Sequence, residues 1–152
     1  MAFDPQAVMD SIISHSLATG WFDRVQNHEP KQPPGNGLSA ALWVDRIDPV
    51  GSVSGVDSTS LRVMFMMRIY TNMLQEPQDA IDPNVIQATF SIMQELSSDL
   101  GLGALVKNVD VLGAFGEGLV ARAGYVKVDT QMYRVMTINI PVVVNDAFDQ
   151  AF

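Results

Sequence analysis

Residues 62–70 read RVMFMMRIY, and the way the two sides of this stretch are covered decides the fold. In a strand, alternate side chains point to opposite faces. Leu61, Val63, Phe65, Met67 and Ile69 then share one face, while Arg62, Met64, Met66, Arg68 and Tyr70 share the other. Both faces are largely apolar. The second is edged by arginines, whose aliphatic stems cover nonpolar surface while their charged heads stay wet. The last long run, MYRVMTINIPVVV (132–144), behaves the same way and carries Arg134 near its start. Pro141 within it suggests an edge, a bulge or a strand end that leaves the sheet.

Two helices are available to cover such a sheet. Asp4-Pro5 places a capping carboxylate and a helix-starting proline before Val8, Met9, Ile12, Ile13, Ser16 and Leu17 at helical spacing. Gly20 ends that helix, and Trp21, Phe22 and Val25 form an apolar cluster beyond it. Asp82-Pro83 repeats the start signal, with Asp82 as the expected cap. Val85, Ile86, Thr89, Phe90, Met93 and Leu96 follow on one expected packing side. Strands are expected at 38–47 around Trp43, at 61–71 antiparallel to it, and at 106–115, 119–128 and 132–144. NHEPKQPPGNG (27–37) is a connector. Residues 48–60 are expected to form a flexible hairpin tip bearing Val53 and Val56, and the tail 146–152, with Phe148, to be mobile or docked on a neighbour.

The order helix, hairpin, helix, strands gives a single α+β domain over residues 1–152. Its mixed or antiparallel sheet has four to five strands, with both helices packed on one face. The helices cover one side of residues 62–70 and leave the other. Association between subunits is the economical cover for that second face, against wrapping by the chain's own helices and loops.

The chain's 152 residues suffice for one core. Seventeen acidic against nine basic residues give a net charge of −8, and the basic residues are scattered, which argues against a grip on a phosphate backbone. There is no cysteine, so disulfide and thiolate chemistry are excluded. MAFDPQAVMDS has neither the basic start nor the apolar run of a secretion signal, and no 18-residue apolar run spans a membrane. His15 and His28 lack a ligand-spaced partner set and read as ordinary helix and loop residues. HExxH, the P-loop lysine motif and GxSxG are absent; GLGAL (101–105) and GAFGEG (113–118) read as turns. No catalytic, cofactor-binding or metal-binding constellation emerges.

Read in order, FDRVQNHEPKQPPGNGLSAALWVDRIDPV, LRVMFMMRIYTNM, IDPNVIQATFSIMQELSSDLGLG, VDVLGAFGEGLVARAGYVKVDTQMYRV and IPVVVNDAF make a recognisable set. It resembles the tail terminator (head–tail joining) proteins of long-tailed bacteriophages, especially those of actinobacteria, over roughly residues 8–148. The specificity lies in the ordered series rather than in any one motif: EP before a Trp-containing strand, RIY, an IDP helix start, GYV, a YR strand and IPV.

The resemblance implies a structural virion protein that closes into a hexameric ring, made in the host cytoplasm and resident at the head–tail interface. The ring caps the tail tube and ends polymerisation of the major tail tube protein. It receives the head-completion (neck) protein and lets DNA pass without specific binding. No catalysis, cofactor or membrane is implied. Neck, tail-completion and tail tube proteins share related designs, and outside phages a small intracellular binding module is the competing reading. On this reading Arg62, Met64, Met66, Arg68, Tyr70, Val53, Val56, Arg134 and Phe148 are the expected subunit or tube contacts. The acidic bore is expected to draw on Asp45, Asp48, Asp57, Asp110 or Glu117.

Overall fold

A computed structural model describes residues 3–28, 37–50, 58–72 and 81–149, with backbone alone at Ser58, Asp146, Phe148 and Asp149. Helix α1 (Pro5–Ala18) starts as its sequence dictates: the Asp4 carboxylate accepts the Ala7 N–H at 3.2 Å, and Pro5 occupies the first turn. The chain leaves the helix through Gly20, whose φ of +78° is a left-handed conformation that costs glycine nothing. Strands β1 (Arg24–Gln26), β2 (Leu38–Pro49) and β3 (Ser58–Asn72) follow, then helix α2 (Ile81–Ser97), β4 (Asn108–Val109), β5 (Val120–Val128) and β6 (Gln131–Asp149).

The strands form one mixed sheet in the order β1-β2-β3-β6, with β5 and β4 sharing the far side of β6. β1 runs parallel to β2 and every other pair is antiparallel. The α+β class and the two helices on one face are as expected. Among the described residues the sheet has six strands rather than four or five, the unexpected one being β1, three residues long and too short to show any period. β3 and β6 also run longer than 61–71 and 132–144, pairing as far as Ser58 with Asp149. Residues 51–57 of the expected hairpin tip and 150–152 of the tail lie outside the described residues.

The expected strand at 106–115 is instead the short β4 followed by a turn, for reasons given below. Pro141 lies inside β6, opposite Met64 on β3. Its carbonyl accepts the Asp110 N–H at 2.9 Å, so its nitrogen faces that same side, away from β3. There β5 has ended, at Val120 opposite Asn139, and β4 begins, at Val109 opposite Val142. The missing N–H therefore falls in the gap between two partner strands, where no ladder bond is lost.

The main core lies between the helices and one sheet face. Val63, Phe65, Met67 and Ile69 of β3 and Ile138, Ile140 and Val142 of β6 pack with Val8 and Ile12 of α1 and Val85, Ala88, Ile92 and Leu96 of α2. The α2 stripe differs from the expected one: Ala88 and Ile92 are buried, while Ile86 and Phe90 stand out at 56% and 68% exposure. Asp82 is not the cap either. The helix already includes Ile81, so Asp82 sits within the first turn, where its carboxylate accepts from Arg134 Nε at 3.0 Å. A carboxylate there also suits the positive end of the helix dipole.

His15 ties the helices together. Its Nδ1 lies 3.1 Å from Glu95 Oε1 and its Nε2 lies 2.9 Å from Asp99 Oδ2. Partial burial alone would lower the His15 pKa, but the two carboxylates outweigh it and hold the imidazole above its ordinary 6.5. The Gly103 N–H and His15 in turn hold Asp99 below the usual carboxylate value. A raised histidine pKa means that the folded state binds the proton more tightly. The stabilisation is therefore fully present below pH 6.5 and is lost as pH rises through the folded value. Both carboxylates are more than a third exposed, at 41% and 38%, so solvent screening limits the effect to roughly 0.5–1 kcal/mol. Urea unfolding at pH 5.5 and pH 8.5 should show this loss in the wild type, and His15→Gln should flatten it.

Candidate functional site

The second face of the sheet is where the unexplained apolar surface lies, and each of its ends is closed by the chain itself. At one end Tyr70 of β3 and Tyr133 of β6 meet edge to face, ring centroids 6.1 Å apart, with Ala41 and Val135 buried beside them. Trp43, Val126 and Val128 pack around this second, smaller core. Burial pushes the Tyr133 hydroxyl pKa up, and the hydroxyl donates to Gln131 Oε1 at 2.6 Å.

At the other end the turn 110–119 folds over β3. Asp110 organises it: one carboxylate oxygen accepts the Ala114 N–H at 2.7 Å, and the other accepts the Phe115 N–H and Arg62 Nε, each at 3.1 Å. Arg62 also donates to the Glu117 carbonyl. This ion pair is sealed, with side chains 3% and 5% exposed. Burial alone would raise the Asp110 pKa, but the two backbone N–H groups and the Arg62 guanidinium more than reverse it. Glycine is required here. Gly113 has φ +76°, and a Cβ on it would collide with the Gly116 carbonyl oxygen. These contacts are why 110–119 turns instead of continuing as strand.

Between the two ends the face stays open as a concavity of about 450 Å³. Its floor is Met64 and Met66 of β3 with Val135 of β6 and Val126 of β5, and its rim carries Arg46, Arg68 and Arg122 with Asp45 and Glu117. Each arginine is oriented from within. Arg68 Nε donates to Thr137 Oγ1 at 3.0 Å, with its guanidinium 5.4 Å from the Trp43 ring centre. Arg46 pairs with Asp48 at 2.9 Å, and Arg122 pairs with Glu117 at 2.8 Å. The β2–β3 register shifts between Val44 and Arg46, and Asp45 at that bulge lines the same concavity.

The structure divides the residues expected at a contact surface. Met66 and Arg68 are half-buried and line the concavity. Met64 lines its floor but is 4% exposed. Arg62 and Tyr70 are buried within the chain, one in the Asp110 ion pair and the other in the tyrosine cluster. Arg134 lies on the helix-side face, paired with Asp82 and stacked 4.6 Å from the Tyr125 ring centre. Phe148 belongs to β6 opposite Thr59, and Val53 and Val56 lie outside the described residues.

Of the acids expected at a bore, Asp110 is buried in its ion pair. Asp48 and Glu117 are paired with neighbouring arginines, and Asp57 lies outside the described residues. The rim arginines Arg46 and Arg122 escaped sequence reasoning, since only the β2–β3–β6–β5 pairing brings them to one hollow. Among the described residues no cluster of three metal-ligating side chains forms, and no helix is long and apolar enough to cross a membrane.

Searches with protein-family models and against curated proteins return no match. Among solved structures, the chain matches the sheath/tube terminator of an extracellular contractile injection system (PVC), determined by cryo-EM in the extended state. The alignment covers 99% of this chain at 10% identity, with a TM-score of 0.50. The chain shares its fold with a sheath/tube terminator. It spans 59% of the length of that chain, so the likeness concerns the common α+β unit. The expected α+β fold is thereby found in a sheath/tube terminator, and the 10% identity carries nothing about an actinobacterial host.

Proposed function

We propose that this chain is a tail terminator. On this reading it forms a closed ring, six copies in the form implied by the sequence resemblance, which caps a tail tube and ends addition of tube protein. It offers its other side to a head-completion protein and lets DNA pass through its opening. The observation that carries the reading is a methionine-floored concavity, rimmed by Arg46, Arg68 and Arg122 with Asp45 and Glu117, on the sheet face away from α1 and α2, in a fold shared with a sheath/tube terminator.

Half-buried methionine at the centre of an open hollow suits the apolar centre of a subunit interface. Met66 and Arg68 are the contact residues on this face. Met64 lies beneath them, and Arg62 and Tyr70 shape the face from inside. Val53, Val56, Arg134 and Phe148 are assigned to further subunit or tube contacts. The net charge of −8 suits a passage that repels the DNA backbone and does not grip it. The protein acts by assembly, without catalysis or cofactor, within a virion or tail-like particle.

The mass of the purified chain tests this. A terminator gives a discrete ring of about 100 kDa, six copies of a 16.6 kDa chain. Open-ended tubes of the chain alone would assign it to the tube instead.

A further inference from the structure

We infer that His15 is a two-armed clasp between α1 and α2, whose Glu95 arm opens when the imidazole loses its proton and whose Asp99 arm stays closed. Both ring nitrogens face carboxylate oxygens: Nδ1 lies 3.1 Å from Glu95 Oε1, and Nε2 lies 2.9 Å from Asp99 Oδ2. A carboxylate only accepts, so both contacts are hydrogen bonds only while both nitrogens carry hydrogen, as in the imidazolium. The neutral ring has one N–H and one lone pair, and that lone pair would face a carboxylate oxygen at hydrogen-bond distance. One arm must then open.

The two arms are unequal. Asp99 is held from a second side, its other carboxylate oxygen accepting the Gly103 N–H at 3.1 Å in the turn beyond α2. Glu95 has no second hydrogen bond among the described residues, and its side chain is 41% exposed, so it swings into water at little cost. The proton therefore leaves Nδ1 for solvent, and Nε2 keeps its hydrogen for Asp99. Protonated, His15 ties the helices at two points; neutral, it leaves α1 a single pivot on Asp99.

Glu95 and Asp99 are the charges that act on the ring. Of the strands packed against α1, β1 carries Arg24, β2 carries Asp45, Arg46 and Asp48, and β3 carries Arg62 and Arg68. Among the described residues none of these acts on the imidazole, nor does Asp10 of α1 or Asp82 of α2. The ring also lies in the last turn of α1, where the helix dipole favours its positive charge.

Ring nitrogen-15 NMR distinguishes the tautomers, in a His28→Gln background that leaves His15 as the one histidine. The neutral ring should carry its hydrogen on Nε2. Asp99→Asn should move it to Nδ1, because a carboxamide donates to Nε2 and leaves Glu95 as the acceptor. Glu95→Gln should keep Nε2–H and hold both arms closed, since its carboxamide donates to the Nδ1 lone pair of the neutral ring. Hydrogen-exchange protection in the last turn of α1 should fall by roughly two- to fivefold from pH 5.5 to pH 8.5 in the wild type, and stay level in Glu95→Gln. Both substituted side chains are more than a third exposed, so folding is not at stake. A neutral wild-type ring protonated on Nδ1, an Asp99→Asn ring that keeps Nε2–H, or an equal fall of protection in Glu95→Gln would each overturn the clasp.

Discussion

Asp110→Ala is expected to remove about 3–5 kcal/mol of stability, a large fraction of the roughly 5–15 kcal/mol that holds a typical domain folded. The substitution leaves the Arg62 guanidinium, 3% exposed, without its counter-charge. It also strips the acceptor from the Ala114 and Phe115 N–H groups that hold the turn closed. Stranding a buried charge costs far more than the intact pair contributes. Removing both partners, as in Arg62→Leu with Asp110→Ala, should therefore recover part of the loss, but not the part due to the two orphaned N–H groups. Urea denaturation of the three proteins measures this directly.

The same site sets an acid limit. The folded-state pKa of Asp110 lies below its ordinary 3.8, so its contribution is present above that value and is lost as pH falls through the folded value. Wild-type stability should drop in that range, and the drop should be smaller in Asp110→Ala.

Phe65→Ala should cost about 3–5 kcal/mol, through lost transfer energy and the cavity left behind. Phe65 is fully buried on the helix side of β3, between the strands and the stripe formed by Val85, Ala88 and Ile92. Its chain neighbour Met66 points into the open hollow, and Met66→Ala should change stability by less than about 1 kcal/mol. Adjacent residues of nearly equal hydrophobicity are thus expected to differ several-fold in effect. Chemical denaturation of the two variants reads the difference, and similar losses at both positions would mean that the two faces of β3 are equally part of the subunit core.

That contrast marks what was legible in RVMFMMRIY. Alternation along 61–71 placed Phe65, Met67 and Ile69 under the helices and Met66 and Arg68 on the other side, because a strand's period of two is fixed by backbone geometry. The helix starts were partly legible. Asp4-Pro5 is a cap and first turn, while the identical Asp82-Pro83 lies one step inside its helix. A helix period of 3.6 gives a broad stripe and does not say which edge of it meets the sheet, so Ile86 and Phe90 read as core and emerge as surface.

The Arg62–Asp110 pair was beyond reach: its partners are 48 residues apart, and nothing in VDVLGAF announces that the aspartate will bind its own turn. The hollow was half legible. Its methionine floor shows in one strand, whereas Arg46 and Arg122 join it only through the order of β2, β3, β6 and β5. Alternation accounts for the greasy strand, and long-range pairing decides which parts of its second face the chain covers for itself.

On the terminator reading the chain is made alongside a tail tube, and deleting its gene there and measuring tube lengths by electron microscopy is the decisive experiment. Loss of a terminator leaves tube addition unchecked, so tubes should extend well beyond the uniform wild-type length, without joined heads. Tubes of normal, uniform length would contradict that reading, and if those tubes lacked heads the chain would belong to the neck.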